Sequence, residues 1–102
     1  MNLSRSSRDW TEIKAVRVEP RDRYRLWVEF SDGTAGEYDM SDLVRETGAM
    51  IEPLRDPAYF RRVFLEFGAP TWPNGYDIVP YGLYLEMEQA GLLKKLKGAL
   101  RN

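Results

Sequence analysis

A chain of 102 residues, 43% hydrophobic and 13% aromatic, suffices for one domain with its own core and leaves no room for a second. It carries neither cysteine nor histidine, which excludes disulfides, thiolate metal sites, cysteine nucleophiles and imidazole as general base or metal ligand. The net charge of −1 conceals an uneven layout: seven Arg and Lys against four Asp and Glu in residues 1–25, four against twelve in 26–91, and four against none in 92–102.

Basic ends around an acidic body admit two readings: attraction within the chain, or a basic docking surface for an acidic partner or nucleic acid. No apolar run approaches the roughly 20 residues needed to cross a bilayer. The opening string Met1-Asn2-Leu3-Ser4-Arg5-Ser6-Ser7-Arg8 lacks the apolar segment of a signal peptide. A cytoplasmic protein of bacterial type that stays out of the membrane is the expectation.

Residues 1–10 are polar and rich in Ser and Arg, and a loose arm is expected there. The pattern Ile13-Lys14-Ala15-Val16-Arg17-Val18-Glu19 predicts a first strand, and Pro20-Arg21-Asp22-Arg23 a turn. Tyr24, Leu26, Val28 and Phe30 alternate with Arg25, Trp27 and Glu29, which predicts a strand with one buried face and Trp27 on the other. Asp32-Gly33 signals a hairpin, because the tight turn needs positive φ. A third strand is expected over about 35–40.

Asp39 or Ser41 can cap a short helix through Leu43-Val44-Arg45-Glu46, with Gly48 as its stop. A single helical turn over 51–54 and a short helix after Asp56-Pro57 follow, the latter with Tyr59 and Phe60 on its apolar face. Residues 63–67 are rich in β-formers and are expected to return to the sheet. Trp72 sits in a short extended piece before the Pro73-Asn74-Gly75 turn, and Tyr76-Asp77-Ile78-Val79 comes next.

After Pro80 the period lengthens. Leu85, Leu92, Leu93, Leu96 and Leu100 fall on one broad helical face, with Lys94, Lys95, Lys97 and Arg101 around it. A C-terminal amphipathic helix over 85–102 is predicted, weakened by about 1 kcal/mol at each of Gly91 and Gly98 relative to alanine. The expected fold is a single α+β domain. It has a small antiparallel sheet, made of an N-terminal three-stranded meander plus later short strands, with short helices and that C-terminal helix.

Four motifs stand in a distinctive order: Leu26-Trp27-Val28-Glu29-Phe30-Ser31-Asp32-Gly33, then Tyr38-Asp39-Met40, then the run from Glu52-Pro53-Leu54 through Asp56-Pro57 to Val63, then Trp72-Pro73-Asn74-Gly75-Tyr76-Asp77-Ile78-Val79-Pro80 closing at Leu83-Tyr84. Over residues 13–84 this order resembles an uncharacterised bacterial family, the domain of unknown function 2442. The resemblance implies a compact α+β domain on a small antiparallel sheet and supplies no catalytic residues. Some members are fused to helix-turn-helix domains and some are encoded beside small toxin-like proteins, which implies antitoxin or regulatory partners. The chain departs from the pattern at Tyr81-Gly82 and in its extension over 85–102.

Asp32, Asp39, Asp56 and Asp77 are chemically able to hold magnesium or calcium, but each sits where a turn or helix start already accounts for it. Trp72, Asn74 and Tyr76 could line a small groove; alternatively Trp72 plugs the core and the turn merely reverses the chain. Trp27 is either covered by the C-terminal helix or offered to a partner. The leucine face with its lysines, Leu93, Lys94 and Lys97 among them, packs on its own sheet, mediates homodimer or partner binding, or meets nucleic acid or a membrane surface.

The expectation is a non-enzymatic interaction module, antitoxin-like or regulatory, binding a small protein partner or itself through one sheet face and the C-terminal helix. Its candidate surface is Trp27, Trp72, Asn74, Tyr76, Leu93, Lys94 and Lys97, and no cofactor is implied. One alternative is a nucleic-acid-binding accessory using Arg5, Arg8, Arg17, Lys94, Lys95 and Lys97. The other is a carboxylate-dependent metal enzyme.

Overall fold

The computed structural model describes residues 13–96. The expected arm over 1–10, and Lys97, Gly98, Leu100 and Arg101 of the expected helix, lie outside the described residues. Along the chain run β1 (Ala15–Arg21), β2 (Arg25–Phe30), β3 (Thr34–Asp39), two 3-10 turns (Leu43–Arg45 and Glu52–Arg55), α1 (Pro57–Phe60), β4 (Phe64–Glu66), β5 (Ala69–Thr71), α2 (Pro80–Gln89) and β6 (Lys94–Lys95). The first three strands and β6 form one antiparallel sheet in the order β1-β2-β3-β6, and the fold is α+β as expected.

β2 is the middle of the meander because its alternation is clean: Leu26, Val28 and Phe30 are buried while Arg25, Trp27 and Glu29 point the other way. In β1, Ala15 pairs with Phe30 and Arg17 with Glu29, which makes Val16 the extra residue of a bulge. The bulge brings Ala15 and Val18 to the same core side and leaves Val16 58% exposed. Gly33, at φ 88°, closes the Asp32-Gly33 turn between β2 and β3.

Tyr24 does not belong to the alternating strand. It lies in the β1–β2 loop with left-handed backbone, φ 61°, next to Arg23 at φ 63°. Its hydroxyl donates to the Arg55 carbonyl and its ring meets Phe60 edge-on at 5.4 Å. Those contacts hold a conformation that a non-glycine residue adopts at some cost.

Residues 41–62 cover one end of the core. Asp39 accepts from the Ser41 N–H at 2.8 Å, closing a turn and not capping the following segment, whose N-cap is Asp42 without a side-chain bond. Asp56 does cap α1, accepting from Ala58 N–H at 3.0 Å with Pro57 in the first turn. Arg55 donates from Nε to the Val44 carbonyl at 2.7 Å and from Nη2 to those of Arg45 and Glu46 at 3.2 and 2.9 Å. One guanidinium thus satisfies the open carbonyl end of the first 3-10 turn.

Residues 63–67 do not rejoin the main sheet. β4 pairs with β5 in a separate two-stranded ladder, tied to the start of β1 by a bond from Ala15 N–H to the Gly68 carbonyl at 2.9 Å.

The C-terminal helix is present but earlier and shorter than expected. α2 buries Leu83 and Met87 and lays Tyr84 edge-on against Phe30 at 5.2 Å. It ends because Gly91 adopts φ 74°, with Gly91 N–H bonded to the Glu88 carbonyl at 3.0 Å and Leu92 N–H to that of Met87 at 2.9 Å. This paired closure is the glycine-terminated Schellman motif. Beyond it the chain is extended: Lys94 pairs with Ala35, Lys95 with Thr34, and Leu96 N–H reaches the Gly33 carbonyl at 2.9 Å.

Candidate functional site

Every second residue of the meander points away from the core. Pairing places Arg17 beside Glu29, Glu19 beside Trp27, Trp27 beside Glu37, and Glu29 beside Ala35 on this outer face, with Lys94 next to Ala35. Both described helices bury their apolar residues, Phe60, Leu83 and Met87, in the core on the other side. Among the described residues no C-terminal helix covers Trp27, one of the two readings of that residue; the extended residues after α2 line a groove with it instead.

Trp27 is held on several sides. Its indole N–H donates to Glu29 Oε2 at 2.8 Å, and the Arg21 guanidinium lies 4.8 Å from its ring centre. Arg17 Nη1 binds the same Glu29 oxygen at 2.7 Å. Arg21 also meets Glu19 and Glu37, and Arg25 meets Glu37, each at 3.3 Å. Such exposed pairs contribute less than about 1 kcal/mol each; what they supply is orientation. The indole N–H, followed by Arg17, holds the Glu29 carboxyl below its ordinary range against the opposing effect of burial.

Between this face and the segment after α2 lies a groove of about 400 Å³. Trp27, Ala35 and Glu37 form one side, and Leu92, Lys94 and Leu96 the other. Lys95 also lines it. Among the described residues neither Lys94 nor Lys95 has a carboxylate within ion-pair distance, whereas Glu37 is shared by two arginines.

Of the sequence-predicted surface, the structure brings together Trp27 and Lys94. Trp72 is a correction: at 0% exposure it offers no surface, and its indole donates to the Phe60 carbonyl at 2.9 Å inside the core. Asn74 spends one end of its amide on the turn, accepting from Tyr76 N–H at 3.2 Å, and the other on the Met50 carbonyl, to which it donates at 3.0 Å. Tyr76 packs on Trp72 with ring centres 5.9 Å apart, and burial raises its hydroxyl pKa. Leu93 packs against the core, and Lys97 lies outside the described residues.

The aspartates stand apart in local roles. Asp32 accepts from Thr34 N–H and Oγ1 at 3.1 and 2.7 Å and from the Tyr84 hydroxyl at 2.7 Å, while Asp77 pairs with Thr71 through its backbone in an isolated β-bridge. Among the described residues no group of three or more His, Cys, Asp or Glu side chains could hold a metal ion. Of the cations grouped for nucleic acid, Arg17 is bound by Glu29 and Glu19, and Arg5 and Arg8 lie outside the described residues. No described helix is long and apolar enough to cross a membrane.

Sequence reasoning had Leu92 and Leu96 only on a helical face and missed Glu37 and Gly36 as parts of the groove. A signal was present in Gly36: glycine inside a strand marks close approach of another backbone, and here a Cβ would come to 2.3 Å from the Leu92 carbonyl oxygen.

The family model described as Protein of unknown function (DUF2442) matches residues 15–88, and the chain belongs to that family. The matched span runs from β1 almost to the end of α2 and stops before the segment that forms the second wall of the groove. No curated protein and no solved structure shows significant similarity.

Proposed function

We propose that this member of the DUF2442 family is a non-enzymatic interaction module that binds a small protein partner through the outer face of its sheet, in the antitoxin-like or regulatory role that the sequence resemblance implies. The observation that supports this reading most is the setting of Trp27. A tryptophan on the face opposite the core, fixed by Glu29 and Arg21 and bordered by an open groove, has the make-up of an interface anchor. Because its ring is already oriented, little side-chain entropy is lost when a partner covers it.

The test is affinity capture from the source organism, comparing the natural chain with Trp27→Ala and with Leu96→Asp, each checked for native circular dichroism. Loss of the same partner from both variants is the expected result. Retention by both rejects the outer face as the binding surface.

A further inference from the structure

We propose that the groove receives an extended acidic segment of the partner, running beside β3 where β6 leaves it and setting one apolar side chain against Trp27. This rests on the reading of the outer face as a protein-binding surface and adds the chemistry of what binds there.

The backbone supplies the first reason. β3 is six residues long, yet β6 pairs only with Thr34 and Ala35. Among the described residues no strand pairs with residues 36–39 from that side. The two chains part because the Leu92 carbonyl turns in against the core side of Gly36. A strand edge left open in this way is a template for an added strand, whose main-chain groups give affinity while alternate side chains give specificity.

The groove itself is the second. Trp27, Ala35, Leu92 and Leu96 give it an apolar lining, and its volume of about 400 Å³ accommodates a large side chain with the backbone that bears it.

Charge decides the class of peptide. Lys94 and Lys95 line the groove without a carboxylate partner among the described residues, and the carboxylate that does line it, Glu37, is already neutralised by Arg21 and Arg25. Successive strand residues point to opposite faces, so a carboxylate on either face of the segment would meet one uncompensated ammonium group, that of Lys94 or that of Lys95. A basic segment would meet repulsion.

The test uses the full-length, isotope-labelled chain and synthetic heptapeptides with blocked ends: one of alternating glutamate and leucine, one with lysine replacing glutamate, and the acidic one N-methylated at alternate residues in either register. The acidic peptide is expected to shift the Trp27 indole N–H and the amides of Glu37, Lys94 and Leu96. Replacing glutamate by lysine, methylating one of the two registers, or introducing Lys94→Glu with Lys95→Glu should each weaken binding about tenfold or more. Equal binding of acidic and basic peptides, or undiminished binding of both methylated registers, overturns the proposal. So does the absence of shifts at those amides. If Trp27→Ala still abolishes capture of the partner in that last case, the outer face stands and only its occupant was wrong; if capture is unaffected, both readings fall.

Discussion

The indole N–H of Trp27 donates to the carboxylate of Glu29, two residues further along the same strand, at 2.8 Å. Residues two apart share a face, so the bond lies flat on the outer side of the sheet and converts a rotatable tryptophan into a fixed one. The Glu29 carboxyl is in turn held ionised by that N–H and by Arg17.

Trp27→Phe keeps an aromatic ring, though a smaller one, and removes the donor. The leading cause of the Glu29 shift disappears, so its pKa should rise toward the ordinary carboxylate range. Carboxyl carbon shifts followed through an acid titration measure this. An unchanged titration would mean that Arg17 alone governs Glu29.

Gly91→Ala separates two accounts of the chain's end. Inside a continuous helix, alanine would stabilise by about 1 kcal/mol. At φ 74° it should instead destabilise by about 1 kcal/mol, since a Cβ is strained there although nothing lies within 4 Å of it. Urea unfolding gives the sign directly.

Tyr84 and Asp32 join α2 to the β2–β3 turn, and their bond makes stability depend on pH at both extremes. Burial pushes the Asp32 carboxyl up, but hydrogen bonds from Tyr84 and Thr34 outweigh it and hold the pKa below its ordinary value. That contribution is present above the unfolded pKa and lost as pH falls through the folded one. The Tyr84 hydroxyl is pushed from 10.0 to about 12, chiefly by the bond to Asp32; its contribution is complete below the unfolded value and lost as pH rises through about 12. Tyr84→Phe should cost about 1 kcal/mol at neutral pH and flatten both limbs, seen in urea midpoints at acid, neutral and alkaline pH. A variant whose deficit stays constant across that range would refute the linkage.

Phe67→Asn should stabilise. Phe67 and Gly68 form the β4–β5 turn at φ 52° and 80°, where asparagine is at ease and phenylalanine is strained, and the ring is 91% exposed. A gain of about 0.5–1 kcal/mol is expected from thermal or urea unfolding. A loss would show that the ring has a contact worth more than the strain.

The meander was legible because Leu26, Val28 and Phe30 report their burial locally, and Asp32-Gly33 fixes the turn by its own chemistry. Asp56-Pro57 was legible for the same reason. Residues 92–96 were not: the spacing of their leucines suits a helix, and only pairing with β3, far away in the sequence, makes them extended. Gly91 is a helix weakener in one context and a helix end in the other, and its neighbours do not decide between them. Trp27 declared itself as a candidate by standing off the apolar face. The other residues of the groove could not, since Leu96 and Lys95 come to line it through the tertiary fold alone.

Arg55 gives the molecule an uneven response to acid. All three of its acceptors are main-chain carbonyls, none of which can be protonated in the range where carboxylates are. The crossing it makes between the two 3-10 turns is therefore indifferent to proton concentration, while the ties through Asp32 and Glu29 are not. Acidification should loosen the turn end of the meander and the face bearing Trp27 while the Arg55 crossing persists.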